Sequence, residues 1–313
     1  MVLSLLKNLA RSVGVLQVVT FATFSLMYGD GRGIARAVLG LGATPEDVSR
    51  EVATLGLDRP LPVQYWDWLS GAFTGNLGRS FYTHQSVTQA LSNRVPVTLA
   101  IVVIALLLTA AVSVILGVTA AVRGGWVDRL VQFLSVLGTA VPAYVVAIVM
   151  VFVFAVAWRL LPATGYIGPN QGLSPWIKSI TLPVVALLIA AVAGVAAQFR
   201  SAVLDTLGRD YVRTLRARGI SERQVIFRHV LRNAAAPGLT ALSLTMIGLL
   251  GGAVFIEQVF ALPGMGQLAN SAAQVSDVPM VMGTVLVTTL IVLVVNFLGD
   301  VGVTLLNPKA RNR

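Results

Sequence analysis

Between Arg94 and Arg123 the chain runs from Val95 to Val122 without a charged side chain. About 20 consecutive apolar residues are enough to carry a helix across the hydrocarbon core of a bilayer. Water cannot satisfy backbone amides and carbonyls there, so a lone run of this kind has to be helical. Pro96 stands at its start, where a missing amide costs nothing. Comparable runs cover residues 130–158, 181–199, 237–256 and 280–305, in a chain that is 56% hydrophobic and only 12% charged. Soluble domains carry about a quarter charged residues. The sequence therefore specifies an all-α integral membrane protein.

Lys7 and Arg11 precede a further apolar stretch, Ser12 to Tyr28, which reads either as a secretory signal peptide or as a first span. No small-residue cleavage pattern follows it and more spans come after, so residues 1–28 are kept as the N-terminus and first of six transmembrane helices, extended back toward Leu5. Residues 29–94 are the one long stretch of soluble character, a small external subdomain, and residues 95–313 make the core. Within the subdomain Thr44-Pro45-Glu46-Asp47 starts a helix with proline at N1, Gly56 closes it, and LDRPLPVQYWDWL from Leu57 begins another. Tyr65, Trp66 and Trp68 either mark the membrane interface or form the subdomain's core. Ser86 to Val95 reads as an amphipathic lead-in to the second span.

Pro142 lies inside the third span and implies a kink or break, arising either from irregular packing or from a bend that lines a solute path. The fourth span is rich in alanine, which allows neighbours to approach closely. In the fifth, Gly248-x-x-x-Gly252 puts two glycines on one face, the spacing of a tight helix contact. Asn296 and Asp300 share a face of the sixth, with Asp300 close enough to its end to reach the interface.

Six spans place both termini on one side. That side holds fifteen of the Lys and Arg residues and five acidic ones; the other holds eight and eight. The whole net charge of +10 is then carried by the cytoplasmic side, as the positive-inside rule requires. No aromatic-interleaved basic face points to nucleic acid instead.

Residues 200–236 hold eight arginines with an unusual degree of local punctuation. Arg209 to Arg218 forms a helix with Tyr211, Val212 and Leu215 on one face and Arg209, Arg213 and Arg216 on the other, and Gly219 stops it. Ser221 restarts a helix, with Gln224 at capping-box spacing. A purely topogenic loop needs neither feature; a protruding helix with an apolar stripe wants a groove.

Tyr211-Val212-Arg213-Thr214-Leu215-Arg216-Ala217-Arg218-Gly219-Ile220-Ser221, followed by His229-Val-Leu-Arg-Asn233, resembles the EAA-motif coupling loop of ABC-importer permeases of the dipeptide, oligopeptide and nickel branch. Arg213-Thr214-Leu215 occupies the Glu-Ala-Ala positions, with Leu215 where this branch more often has Ala. Leu55 to Tyr65, Gly75 to Ser80, Leu161 to Tyr166 and Glu257 to Gly266 are similar to further landmarks of that branch; Met27-Tyr-Gly-Asp-Gly31 departs from its usual Gly-Asp-Pro. The resemblance implies a type I importer permease in the cytoplasmic (inner) membrane. It has six transmembrane helices, an external subdomain between the first and second, and a cytoplasmic coupling helix between the fourth and fifth. It further implies a homologous second permease subunit, two cytoplasmic ATPase subunits, an external solute-binding protein and surrounding lipid as partners. Tyr211, Val212 and Leu215 would then supply the buried contact with the ATPase, the arginines its rim, and Gly219 the bend.

Without a Gly-x-x-x-x-Gly-Lys-Ser/Thr loop the chain has no phosphate cradle, so it is expected to be non-enzymatic, with ATP and magnesium on the partner ATPases and no cofactor of its own. A secondary transporter, the main rival reading, would place ionisable groups at mid-membrane for ion coupling, and the spans carry almost none. A membrane-embedded enzyme would need a nucleophile with a base, or a carboxylate or histidine cluster at depth; Glu257 and Asp277 are expected near the outer surface, and the chain has two histidines and no cysteine. Dipeptides, oligopeptides, chelated nickel or haem remain open as solutes.

Overall fold

The computed structural model describes residues 2–40 and 42–306, with side chains placed for 10–40 and 42–304. Lys309, Arg311 and Arg313, used above to orient the chain, lie outside the described residues, as does the side chain of Lys7. Among the described residues thirteen α-helices follow one another: α1 Val2–Tyr28, α2 Gly31–Leu39, α3 Pro45–Thr54, α4 Leu61–Phe73, α5 Val87–Arg123, α6 Gly125–Ala140, α7 Ala143–Met150, α8 Leu173–Leu207, α9 Asp210–Ala217, α10 Glu222–Gln224, α11 Leu231–Val259, α12 Met265–Gln274 and α13 Val278–Leu306. Among the described residues no strand forms, only a single antiparallel bridge between Arg79 and Ser86.

Among the described residues five helices are long and apolar enough to cross a membrane, and α6 with α7 makes a sixth if that pair is one span. The pair bends by 95°. Val141 is extended and Pro142 caps α7. Proline disfavours helical geometry in the residue before it, so the break falls at Val141. Of the kink or break expected at Pro142, the chain takes the break. Beyond Met150 the chain widens into a π turn, Val151–Ala157. Pro96, expected at a helix start, lies inside α5, which begins at Val87: the amphipathic lead-in is the first part of the same helix.

One compact unit comprises Val2–Thr98 with Pro263–Leu293. The stretch at 29–94 therefore shares its core with α1, α12 and the first half of α13. Thr44 and Asp47 form a reciprocal capping box at the start of α3, with proline in its first turn. The Thr44 hydroxyl, then its amide, hold the Asp47 carboxyl below the usual carboxylate range. The aromatic cluster divides. Tyr65 is buried, donating to or accepting from Thr20 at 2.9 Å and meeting Phe21 and Phe24 edge-on, and Trp68 packs behind it. Trp66 points away and is 65% exposed. At the other end of the unit buried Asp277 accepts from the Ser80 hydroxyl and the Phe81 amide, tying residues 80–82 to the start of α13. Burial, then the Asp277 charge, push the Tyr82 hydroxyl up.

The other unit comprises Leu99–Leu262 with the chain from Val294. Here α8 is the central helix, packed against α6, α7 and α11. Alanine and glycine make this possible: a Cβ on Gly138 of α6 would fall 2.6 Å from the Ala193 methyl of α8, so only hydrogen fits. Glu257 is fully buried at the end of α11, and Asp277 of the first unit is 5% exposed.

Candidate functional site

The arginine-rich segment follows α8 through Gly208 and Arg209. Arg209 has extended N-cap geometry but no side-chain acceptor, and Asp210 supplies the negative charge that the first turn of α9 favours. At the other end Gly219 takes φ +79. Its amide donates to Arg216 O at 2.9 Å and the Ile220 amide to Leu215 O at 3.2 Å, the paired bonds of a Schellman closure. Leu215 and Ile220, the apolar pair that accompanies such a closure, pack on one buried cluster. The helix and its glycine stop stand where the sequence put them.

The apolar stripe does not face outward. Val212 is 0% exposed, and Tyr211 and Leu215 pack beside it against Val203 of α8, Val225, Val230 and Ala234, with Val118 and Ala121 of α5 at the edge. Asn233 Nδ2 donates to the Tyr211 hydroxyl at 3.1 Å. The stripe was expected to meet a partner. Apolar surface within the same chain covers it at no cost in association entropy, so the stripe anchors the helix from behind. Arg213, Thr214, Arg216, Ala217 and Arg218 are left exposed. Arg216 donates from Nε and Nη2 to Glu222 at 2.9 and 2.5 Å, closing the bend with a two-pronged ion pair, and that bond holds its guanidinium charged to higher pH than usual.

The capping box expected at Ser221 is also absent. Ser221 has N-cap geometry but makes no side-chain cap bond. After the single turn of α10 the backbone widens into a π turn, Val225–Val230, and its ladder displaces the α-helical spacing that such a box requires. The wider turn puts Val225 and Val230, five residues apart, both in the buried cluster, and leaves Phe227 64% exposed beside Arg223 and Arg228. Nothing in the sequence periodicity marks Phe227 as outward-facing.

A second feature escaped the sequence because its members are far apart. Arg200, two turns before the end of α8, donates two hydrogen bonds to Asp128 in the first turn of α6, Nη2 to Oδ2 at 2.6 Å and Nε to Oδ1. Gln132 donates to the same carboxylate at 2.9 Å.

Within this chain Gly248 and Gly252 make no tight helix contact. A Cβ on Gly248 would meet nothing within 4 Å, and one on Gly252 only Leu187 at 3.8 Å. Both line a groove of about 280 Å³ between α8 and α11, with Ala190, Ala191, Gly194, Gln198 and Thr245. Gln198 also lines an adjoining hollow of about 390 Å³ with Ser201, Asp205 and Pro237. Together they make a mostly apolar face, with Leu187, Val195 and Leu249 among small residues and a few polar groups, on helices of membrane-spanning length, ending near Asp205.

Residues 113–312 match the family described as "Binding-protein-dependent transport system inner membrane component", and residues 1–102 match the N-terminal region described for such membrane components. The chain belongs to this family. A Brucella abortus (strain 2308) protein named as a peptide transport system permease is 38% identical over 308 residues, 98% of each chain. The glutathione transport system permease protein GsiC of Salmonella typhimurium is 33% identical over 99% of this chain and 98% of its own. Among solved structures, a chain of the inward-facing MetNI methionine ABC transporter superposes with a TM-score of 0.56 at 21% identity, covering 70% of this chain and 97% of its own, which shows a shared fold. The protein is accordingly a multi-pass membrane subunit of an ABC transport system, and its family implies an ATPase and a solute-binding protein as partners.

Proposed function

We propose that the chain is the membrane-spanning subunit of an importer that carries peptides, dipeptides or oligopeptides, across the cytoplasmic (inner) membrane, with both termini cytoplasmic. Two separate cytoplasmic ATPase subunits bind ATP and magnesium; this chain performs no catalysis and holds no cofactor. A homologous second permease faces the α8/α11 groove and completes the path. The observation that carries this reading is α9: a helix fixed from behind by Val212 and closed by Gly219, presenting Arg213, Thr214, Ala217 and Arg218 outward. In this reading those exposed residues, with Arg216, Ser221 and Phe227 at the margin, touch the ATPase, while Tyr211, Val212, Leu215 and Ile220 carry the load inward.

The mechanism follows from the packing. Closure of the ATPase pair displaces α9, and the cluster around Val212 joins α9 to Val203 of α8 and Ala234 of α11, the two helices that wall the groove. Close-packed side chains transmit such a displacement instead of absorbing it. Peptide solutes suit the groove because amide and hydroxyl groups on Gln198, Ser201 and Thr245 can exchange hydrogen bonds with peptide units, and relatives are named for peptide and glutathione transport.

The test is co-purification of the tagged chain with its candidate ATPases, wild type against Ala217→Glu. The substitution adds a long acidic side chain to the exposed face and leaves the buried cluster intact. Lost ATPase recovery at an unchanged membrane level is the expected result; full recovery would remove α9 from the docking role.

A further inference from the structure

We infer that α4 lies in the outer boundary of the bilayer, with Val63, Trp66 and Phe73 set against lipid. The helix has two apolar faces. One carries Tyr65, Trp68 and Leu69 into the core shared with α1. On the opposite side Val63, Trp66 and Phe73 share a stripe with Ser70 between them, and Trp66 and Phe73 are 65% and 83% exposed. A single exposed aromatic is ordinary, but an aligned set on a helix of thirteen residues marks a surface that something covers.

Three observations identify lipid as the occupant. The first is depth. Tyr65 bonds to Thr20 and stacks edge-on with Phe21 at 5.1 Å, and Thr20 lies eight residues before the end of α1, about 12 Å along its axis at the α-helical rise. The contact of α4 with α1 therefore falls within the apolar run of that span, Ala10–Tyr28, and not beyond its end. The second is continuity. Phe21 touches Tyr65 yet is itself half-exposed, and α1 exposes Val18 and Leu26 as well, so the lipid-facing surface of α1 runs onto α4.

The third is the handling of polar groups. The Ser70 hydroxyl, within the stripe, donates to Asp67 O at 2.9 Å, and the Thr74 hydroxyl at the helix end donates to Gly71 O at 2.8 Å. Pro60 and Pro62 remove two amides from the helix start. These groups make no demand on a partner, as an apolar surrounding requires. Asp67, at the flank of the stripe, pairs instead with Arg59 at 2.6 Å, so the charged pair takes the water side and the aromatic stripe the hydrocarbon side.

The chain has no cysteine, so single labels are unambiguous. Full-length Trp66→Cys, Phe73→Cys and Asp67→Cys chains would each be spin-labelled and placed in nanodiscs of phosphatidylethanolamine and phosphatidylglycerol. Accessibility to oxygen, which concentrates in lipid, is then compared with that to a water-soluble nickel chelate. Labels at 66 and 73 are expected to favour oxygen and the label at 67 nickel. Nickel-favoured labels at 66 and 73, or labels shielded from both reagents, would overturn the assignment and give the stripe to water or to a protein partner. Brominated lipid provides a second readout on the unaltered helix: it should quench a tryptophan component that wild type shows and Trp66→Phe lacks. Equal quenching in the two chains would also overturn it.

Discussion

Gly219 offers the sharpest perturbation of the docking loop, because its role can be separated from packing. A Cβ there meets nothing within 4 Å, so a side chain costs no space. What it costs is backbone conformation: φ is +79, and an L-residue held in that region loses about 1–2 kcal/mol. Gly219→Ala should therefore shift the balance between the closed and the opened bend by about 5- to 30-fold. Gly219→Asn should be milder, since asparagine tolerates the left-handed region. Gly219→Pro is the severe case. Its ring holds φ near about −65°, and it deletes the amide that donates to Arg216 O, a further net loss of about 1 kcal/mol. With the bend gone, α9 and the Arg216–Glu222 pair lose their register. In a reconstituted transporter, solute carried per ATP hydrolysed should fall in the order glycine, asparagine, alanine, proline, at equal amounts of membrane protein. A proline variant with the wild-type ratio would refute the reasoning, because no placement of proline reproduces this turn.

Reversing one member of the Asp128–Arg200 pair, by Asp128→Arg, should lower both uptake and the melting temperature by several degrees, and adding Arg200→Asp should restore most of each; an undiminished single reversal would show that the pair is decorative. Asp47 predicts a pH dependence: its depressed carboxyl stabilises the start of α3 fully above the ordinary carboxylate range, and that contribution fades as pH falls through the depressed value. Thermal unfolding of wild type and Asp47→Asn should differ at neutral pH and converge in acid, and a gap that persists in acid would contradict it.

The spans were legible in the sequence because a bilayer allows a long apolar run one solution, and α3 and the Gly219 stop were legible because caps are set by near neighbours. What could not be read was direction. The stripe of Tyr211, Val212 and Leu215 announces that one face of α9 is covered, but the period is the same whether the cover is a partner or the chain's own Val203 and Val230. Ser221 and Gln224 have the letters of a capping box, and the π turn that follows, which no local spacing signals, defeats it. Gly248 and Gly252 have the spacing of a helix contact, and they open on a groove because α8 presents Ala190, Ala191 and Gly194 there instead of a side chain that fills it. Asp128 and Arg200 lie 72 residues apart, beyond any pattern that a helix or a turn can impose.

The distribution of tight and loose packing in the unit around α8 bears on how a displacement travels. Near α9 the contacts are unyielding: Asp128 clamps α6 to α8, and a Cβ on Gly117 of α5 would fall 2.8 Å from the Phe199 side chain and 2.9 Å from the α8 backbone. Farther along, Gly138 still sits tightly on Ala193, but irregular backbone and open faces appear. Pro142 breaks α6 from α7, the π turn at Val151–Ala157 gives up the regular ladder, and Gly248 faces open space. A push on α9 therefore enters α8 through fixed contacts, and the freedom to change shape lies at the helix break, the π turn and the glycine face of α11. Stiffness at the point of entry and compliance at the wall of the path are both needed, because a loop anchored to a soft bundle would dissipate the stroke and a groove of locked helices could not change shape.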